Sequence, residues 1–244
     1  MNIVKFGGSI VNPDGKYDNK VINLFIQLVK ESNDKFIFVV GGGKLCRRVQ
    51  EASKPFLIEA LNETEAVQRA NDWIGIATTK INAEYVLSQF QKKLGKAVYP
   101  QLILDPTQKL NSNCKVFFTS GWVPGCSTDK DMMLLAKTFH ASKVFKISDF
   151  EIVKKIKPLD LAQALPEKKA EILAHAPEIK QMTWKELVNL VGTKWVPGLS
   201  TPFDPEAAAL GFTLRNKLTV YIGRKEQFPK MIRGEKFRGT IVKR

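Results

Sequence analysis

The sequence predicts an α/β protein with a largely parallel sheet and helices on both faces. Short β-type runs alternate with longer helical patterns along the chain, as strand–helix–strand units require. The run Phe36-Ile37-Phe38-Val39-Val40 is continuously apolar, as expected of a strand buried on both faces. The chain has 244 residues, 44% hydrophobic and 25% charged, enough for one sizeable core in a single domain.

In chain order, residues 3–6 form a short apolar strand. Helical spacing over 17–32 puts Val21, Leu24, Phe25, Leu28 and Val29 on one face. A strand over 36–40 is followed by a helix over 44–52. A long helical region over 64–91 carries an expected break near Ile74-Gly75. Strands are expected over 97–104 and 115–119, a helix over 128–138 and a strand over 143–147. Helices over 184–191 and 205–210, a strand over 218–222 and a final edge strand over 240–242 complete the set. The lysine-bearing segment 154–175, with Pro158 and Pro166, reads as a surface excursion ending in a helix over 167–175. The tail from Gly223 reads as a basic edge.

Several classes are excluded. No apolar run reaches the roughly 18 residues that span a bilayer. The opening residues lack the basic and apolar regions of a secretory signal. Cys46, Cys114 and Cys126 are odd in number and lack metal-ligand spacing, and only His140 and His175 could join them. We therefore expect no metal site, reduced thiols and a cytoplasmic location. Lys and Arg total 38 against 24 Asp and Glu, a formal charge of +14. That excess favours anionic partners, nucleotides and nucleic acid among them, or it is a solvated basic surface.

Three strand–glycine–helix junctions carry the chemistry: Lys5-Phe6-Gly7-Gly8-Ser9, Val40-Gly41-Gly42-Gly43-Lys44 and the stretch from Gly121 to Asp129. Glycines after a buried strand let the backbone approach a ligand and free N–H groups for anions. In a parallel sheet such loops gather at the carboxyl edge of the strands. Neither GxxxxGK[ST] nor GxGxxG is present. Phosphoryl transfer needs fixed positive charge and N–H donors rather than a nucleophile. Lys5 is placed to supply that charge, or is an ordinary strand-end lysine. Arg47 and Arg48, one turn into the following helix, could grip a phosphate. Asp129 and Asp204 each stand at a helix start, where a carboxylate caps the helix or orients a lysine or metal. Trp122 and Trp195 each open a Trp-Val-Pro-Gly stretch.

Together these residues resemble the amino acid kinase family, and within it the uridylate kinases of archaeal type. The resemblance covers most of the chain. Lys5-Phe6-Gly7-Gly8-Ser9 resembles the opening loop that holds donor phosphates. Gly41-Gly42-Gly43-Lys44-Leu45-Cys46-Arg47 resembles the second loop and the arginine helix that meets the UMP phosphate. Asp72-Trp73-Ile74-Gly75 resembles the ribose-binding stretch. The run Gly121-Trp122-Val123-Pro124-Gly125-Cys126-Ser127-Thr128-Asp129 resembles the loop around uridine and the reacting phosphate. The segment 194–199 and Pro202-Phe203-Asp204-Pro205 resemble the carboxyl-terminal helix-capping region.

The resemblance implies a three-layer α/β/α sandwich with a largely parallel central sheet. It implies UMP kinase activity with ATP as donor, Mg²⁺ as cofactor and a homo-oligomer, commonly a hexamer. A lobe over about 1–140 would bind UMP and one over about 141–244 would bind ATP. Lys5 and Asp129 would be catalytic. Lys5, Gly7, Gly8, Ser9, Ser148, Asp149, Lys154, Lys157 and Asp204 would bind ATP. Gly41, Gly42, Gly43, Arg47, Asp72, Gly75, Gly121, Pro124, Gly125, Cys126, Ser127 and Thr128 would bind UMP. The donor half departs from the family pattern: Asp149 stands where Asn is usual, Glu151 where Asp is usual and Lys154 where Tyr is usual. Lys155-Ile156-Lys157 replaces an acidic Asp-Lys-Asp. Other kinases of the same fold, and a non-catalytic nucleotide-binding relative acting as sensor, store or RNA-binding subunit, are the alternatives.

Overall fold

The computed structural model describes residues 1–194 and 201–244. Trp195 and most of the 194–199 resemblance lie outside the described residues. The elements in chain order are β1 (Asn2–Phe6), α1 (Gly8–Val11), α2 (Asn19–Glu31), β2 (Phe36–Val40), α3 (Gly43–Leu61) and α4 (Thr64–Leu94). Then come β3 (Val98–Ile103), β4 (Val116–Thr119), α5 (Thr128–Thr138), β5 (Lys143–Ile147), β6 (Val153–Lys154), α6 (Pro158–Gln163) and α7 (Pro166–His175). The chain closes with β7 (Glu178–Ile179), β8 (Gln181–Thr183), α8 (Trp184–Val191), α9 (Pro205–Thr213), β9 (Thr219–Gly223), α10 (Phe228–Arg233) and β10 (Thr240–Lys243).

Eight strands form one sheet in the order β3-β4-β2-β1-β5-β9-β10-β8. From β3 to β9 neighbours are parallel; β10 runs antiparallel to β9. Side chains alternate across the sheet. Val4 and Phe6 of β1 join a core with Phe25 of α2, Phe90 of α4 and Phe228 of α10. Ile3 of β1 and Val144 of β5 join the opposite core with Met132 of α5, Leu187 of α8 and Ala207 of α9. The expected three layers are therefore present. Alternation puts Lys5 on the Ile3 face and Lys146 on the Val144 face, against α5 and α9. The chain visits β2, β3 and β4 on one side of β1, then crosses to β5. The β1/β5 boundary is thus a topological switch point, where ligands of open α/β sheets bind.

Four expectations need correction. The helix expected over 44–52 runs on to Leu61 through Pro55. Residues 51 to 62 are largely exposed, so water can satisfy the carbonyl that loses its N–H partner to Pro55. The helix expected to break near Ile74-Gly75 is continuous. Gly75 serves packing, because a β-carbon there would stand 2.7 Å from Gln50 Nε2 on α3. The strand expected at the sheet edge, β10, lies inside it, covered by β8. The excursion holds two helices, α6 and α7, and is closed at its base by β6 pairing with β7.

Candidate active site

Asp129 is the hub. It sits at the start of α5, where the Ser127 side chain accepts the Lys130 N–H at 3.2 Å and caps the helix. Asp129 Oδ1 accepts Lys5 Nζ at 2.5 Å. Its Oδ2 accepts Lys146 Nζ at 2.5 Å and the backbone N–H of Asp204 at 3.1 Å. Lys5 and Lys146 are cross-strand partners in the parallel β1–β5 register, so both side chains leave the sheet side by side toward α5. Asp204 caps α9 by accepting the Ala207 N–H at 2.8 Å. Capping and orienting thus coexist in these carboxylates: Asp204 caps, and Asp129 organises two lysines.

Burial alone would raise the Asp129 pKa, but the charges and hydrogen bonds of Lys146 and Lys5 hold it well below the usual carboxylate range. Burial lowers Lys146 to about 8, against the opposing pull of Asp129. Asp131, two residues on, is raised by burial to about 7 although the Cys126 thiol donates to its Oδ1 at 3.0 Å. Burial and the neighbouring Asp131 push the Cys126 thiol upward.

The two glycine loops pack backbone against backbone. A β-carbon on Gly8 would stand 2.1 Å from the Gly43 nitrogen and 2.5 Å from the Gly41 oxygen. Gly43 adopts φ +63°, a left-handed conformation that glycine takes without strain. Asn82, fully buried on α4, donates its amide to the Gly41 and Gly42 carbonyls at 2.9 and 3.1 Å. Thr79 Oγ1 accepts the Gly121 N–H at 2.8 Å, and Asp72 Oδ2 accepts the Gly125 N–H at 2.8 Å. α4 therefore ties the second and third glycine loops together.

Between them lies a cavity of about 260 Å³. Most residues expected to hold UMP line it: Gly42, Asp72, Gly75, Gly121, Gly125, Cys126, Ser127 and Thr128. Asp204 lines it too, which places its mouth beside the lysine cluster. Gly41 and Gly43 form the adjoining loop, and Pro124 lies in the third. Arg47 instead lines a separate shallow hollow with Gln50 and Lys54.

The donor-side residues divide. Ser9 Oγ donates to Asp149 Oδ1 at 2.8 Å, joining the opening loop to the segment after β5. Ser148 follows β5 directly, its N–H donating to the Gly223 carbonyl at 2.9 Å. Lys154 pairs with Glu178 across the β6–β7 ladder at 3.3 Å, and Lys157 is exposed at the start of α6. A hollow of about 190 Å³ is lined by Phe150, Val153, Lys154, Ile156, Thr201 and Pro202. From it the chain leads in two residues from Pro202 to Asp204 at the lysine cluster.

Lys146 was not legible as a site residue from the sequence. Its one signal was a lysine inside a strand run between Phe145 and Ile147. No group of three or more His, Cys, Asp or Glu able to hold a metal ion occurs among the described residues. No described helix is long and apolar enough to cross a membrane.

A doubly wound sheet with glycine loops converging on a lysine–aspartate cluster is the architecture of a phosphoryl-transfer enzyme. A sequence profile of the amino acid kinase family matches residues 1–222, and the chain belongs to that family. It is 27% identical to a uridylate kinase of Methanococcus aeolicus over 247 residues, covering 99% of both chains. It is 29% identical to a uridylate kinase of Thermococcus kodakarensis over 250 residues, again covering 99% of both. The fold matches the crystal structure of uridylate kinase from Archaeoglobus fulgidus with a TM-score of 0.74 at 22% identity, covering 99% of each chain.

Proposed function

We propose that this protein is a UMP kinase, transferring the γ-phosphoryl of ATP to UMP to give UDP and ADP in pyrimidine nucleotide synthesis. The observation that carries the reading is the Lys5–Asp129–Lys146 cluster beside the cavity of about 260 Å³. The full-length likeness to uridylate kinases supports it. A non-catalytic relative would not need to keep a buried three-charge cluster whose assembly costs desolvation energy.

In this reading the lobe over about 1–140 binds UMP and the lobe over about 141–244 binds ATP. Uridine occupies the cavity under the third glycine loop. Asp72 spends Oδ2 on the Gly125 N–H, leaving Oδ1 for a ribose hydroxyl. The N–H groups of Gly41 to Gly43 receive the UMP phosphate; Arg47, which lines the neighbouring hollow, would have to turn toward them to join. The donor base enters the hollow of about 190 Å³, and Ser148, Lys154 and Lys157 border its path. An oxygen of the UMP phosphate attacks the γ-phosphorus in line, and the bond to the ADP oxygen breaks. No covalent enzyme intermediate forms. Lys5 and the N–H groups of Gly7 and Gly8 stabilise the charge on the transferring oxygens.

Of the carboxylates nearest the reacting centre, Asp129 commits both oxygens to lysines and Asp204 commits Oδ1 to α9. Mg²⁺, which prefers phosphate oxygens and water, would arrive with the triphosphate. We further propose a homo-oligomer, hexameric by family resemblance. The outer end of α3 exposes Phe56, Ile58 and Leu61, at 71%, 51% and 38%, apolar side chains a second copy would cover. The deciding experiment is UDP formation from UMP, ATP and Mg²⁺, with CMP and dUMP in parallel. Selective conversion of UMP is expected; no product with UMP bound by calorimetry would sink the kinase reading.

A further inference from the structure

We propose that Lys146 is a positioning residue for phosphoryl transfer, holding Asp129 so that Lys5 faces the transferring group and adding one positive charge to the cluster. The inference rests on the UMP kinase reading and deepens it.

Lys146 is 5% exposed on a strand whose other inward residues are Val144, Phe145 and Ile147. A valine or isoleucine there would simply extend the core at no electrostatic cost, whereas a buried ammonium is costly unless paired. Among the described residues its one ion pair is to Asp129 Oδ2. With Oδ2 occupied by Lys146 and by the Asp204 N–H, Lys5 meets Oδ1 alone. An ammonium has three N–H donors, so Lys5 keeps two for phosphoryl oxygens instead of folding down on both carboxylate oxygens.

The charge balance points the same way. Lys5 and Asp129 alone sum to zero. Lys146 adds one positive charge, which offsets the buried Asp204 carboxylate that faces it, in a buried site where each charge acts strongly. The group being transferred is an anion whose charge spreads over its equatorial oxygens, so the cluster favours it more with Lys146 charged than without that charge. Lys146 Nζ also lies 5.1 Å from the centroid of the Phe203 ring, one residue before Asp204. The lysine thus braces the turn that presents the Asp204 N–H.

The charged groups facing Lys146 are Asp129 and Asp204, which favour its protonated form, and Lys5, which opposes it. Burial outweighs them and brings the lysine to about 8. The extra positive charge is therefore lost in mildly alkaline solution.

The test compares wild type with K146M and K146R. For K146M we expect kcat lower by about 100-fold, the scale of one lost transition-state donor. UMP affinity by calorimetry should stay within about threefold, and K146R should recover part of kcat. Wild-type kcat should fall as pH rises through about 8, and that limb should vanish in K146M. A K146M kcat within about threefold of wild type overturns the proposal, as do equal losses in kcat and UMP affinity. Should K146M fail to fold, a wild-type kcat flat from about pH 7 to 9.5 overturns it. No UDP from wild type would overturn the kinase reading instead. Lysine Nζ signals in the nitrogen NMR spectrum would then decide: inorganic tripolyphosphate must raise the Lys146 titration, and an unmoved titration overturns the proposal.

Discussion

Gly8 and Gly43 approach so closely that a β-carbon on Gly8 would stand 2.1 Å from the Gly43 nitrogen. The first two glycine loops are thereby locked backbone to backbone, and the groups meant for donor and acceptor phosphates are held at one fixed separation. Gly8→Ala pits two effects against each other. Alanine favours the helical conformation of α1 by up to about 1 kcal/mol. The clash is with backbone that cannot swing away, and overpacking of this kind costs about 1–3 kcal/mol. The clash wins. We expect a Tm lower by roughly 2–4 °C for each kcal/mol at this chain length, and a kcat loss larger than stability explains. An unchanged kcat would show that the loops need no such contact.

Lys5 and Asp72 separate chemistry from binding. Lys5 touches Asp129 and faces the transferring group, whereas Asp72 reaches the cavity through the third glycine loop. Lys5→Ala should lower kcat by about 100-fold or more, the scale seen for removal of one electrostatic donor, with UMP affinity little changed. Asp72→Ala should weaken UMP binding about tenfold, as loss of a hydrogen bond to a charged group does, with kcat within a few-fold. Calorimetry with UMP and steady-state kinetics read both. Equal losses of binding and turnover in the Lys5 variant would remove its assigned role.

Much of the fold and the acceptor site was legible because it rests on local signals. Glycine pairs after buried strands mark the loops, and Ser127 before an acidic helix start marks α5. What escaped notice depends on partners far along the chain. Lys146 looks like a strand-end lysine until the β1–β5 register sets it opposite Lys5. The register follows from strand order, which no local pattern encodes. Gly75 reads as a helix breaker because its packing partner, Gln50, lies on another helix. The strands β6 and β7 have two residues each, too few for alternation to show. Helix α3 continues past Pro55 because its exposed surface leaves the orphaned carbonyl to water.

The exposed end of α3 gives a prediction about assembly. Phe56 is 71% exposed and contributes to neither core. Phe56→Asp should leave Tm of the fold nearly unchanged, since surface substitutions usually fall within about 0.5 kcal/mol. Its effect should appear in the native mass by light scattering, which drops toward that of one chain if this face is shared between copies. A wild-type mass equal to one chain would sink the oligomer proposal outright. An oligomer untouched by the charge would move the interface elsewhere.

Asp131 predicts how stability depends on pH. It is fully buried, and its Oδ2 has no hydrogen-bond partner. Burial raises it from 3.8 to about 7, with the charges of Lys5 and Lys130 pulling the other way. A group raised in the folded state holds its proton there while the unfolded chain has already released it. Between about pH 4 and 7 the folded protein thus binds the extra proton, and stability must fall as pH rises through that window. Above about 7 both states are ionised and the loss is complete. Asp131→Asn has no proton to lose. Its Tm relative to wild type should climb from pH 5 to pH 7.5 and then level off, as other titrating groups cancel in the difference. Paired thermal melts across that range decide it: a constant difference would mean that Asp131 is ionised in the folded protein throughout.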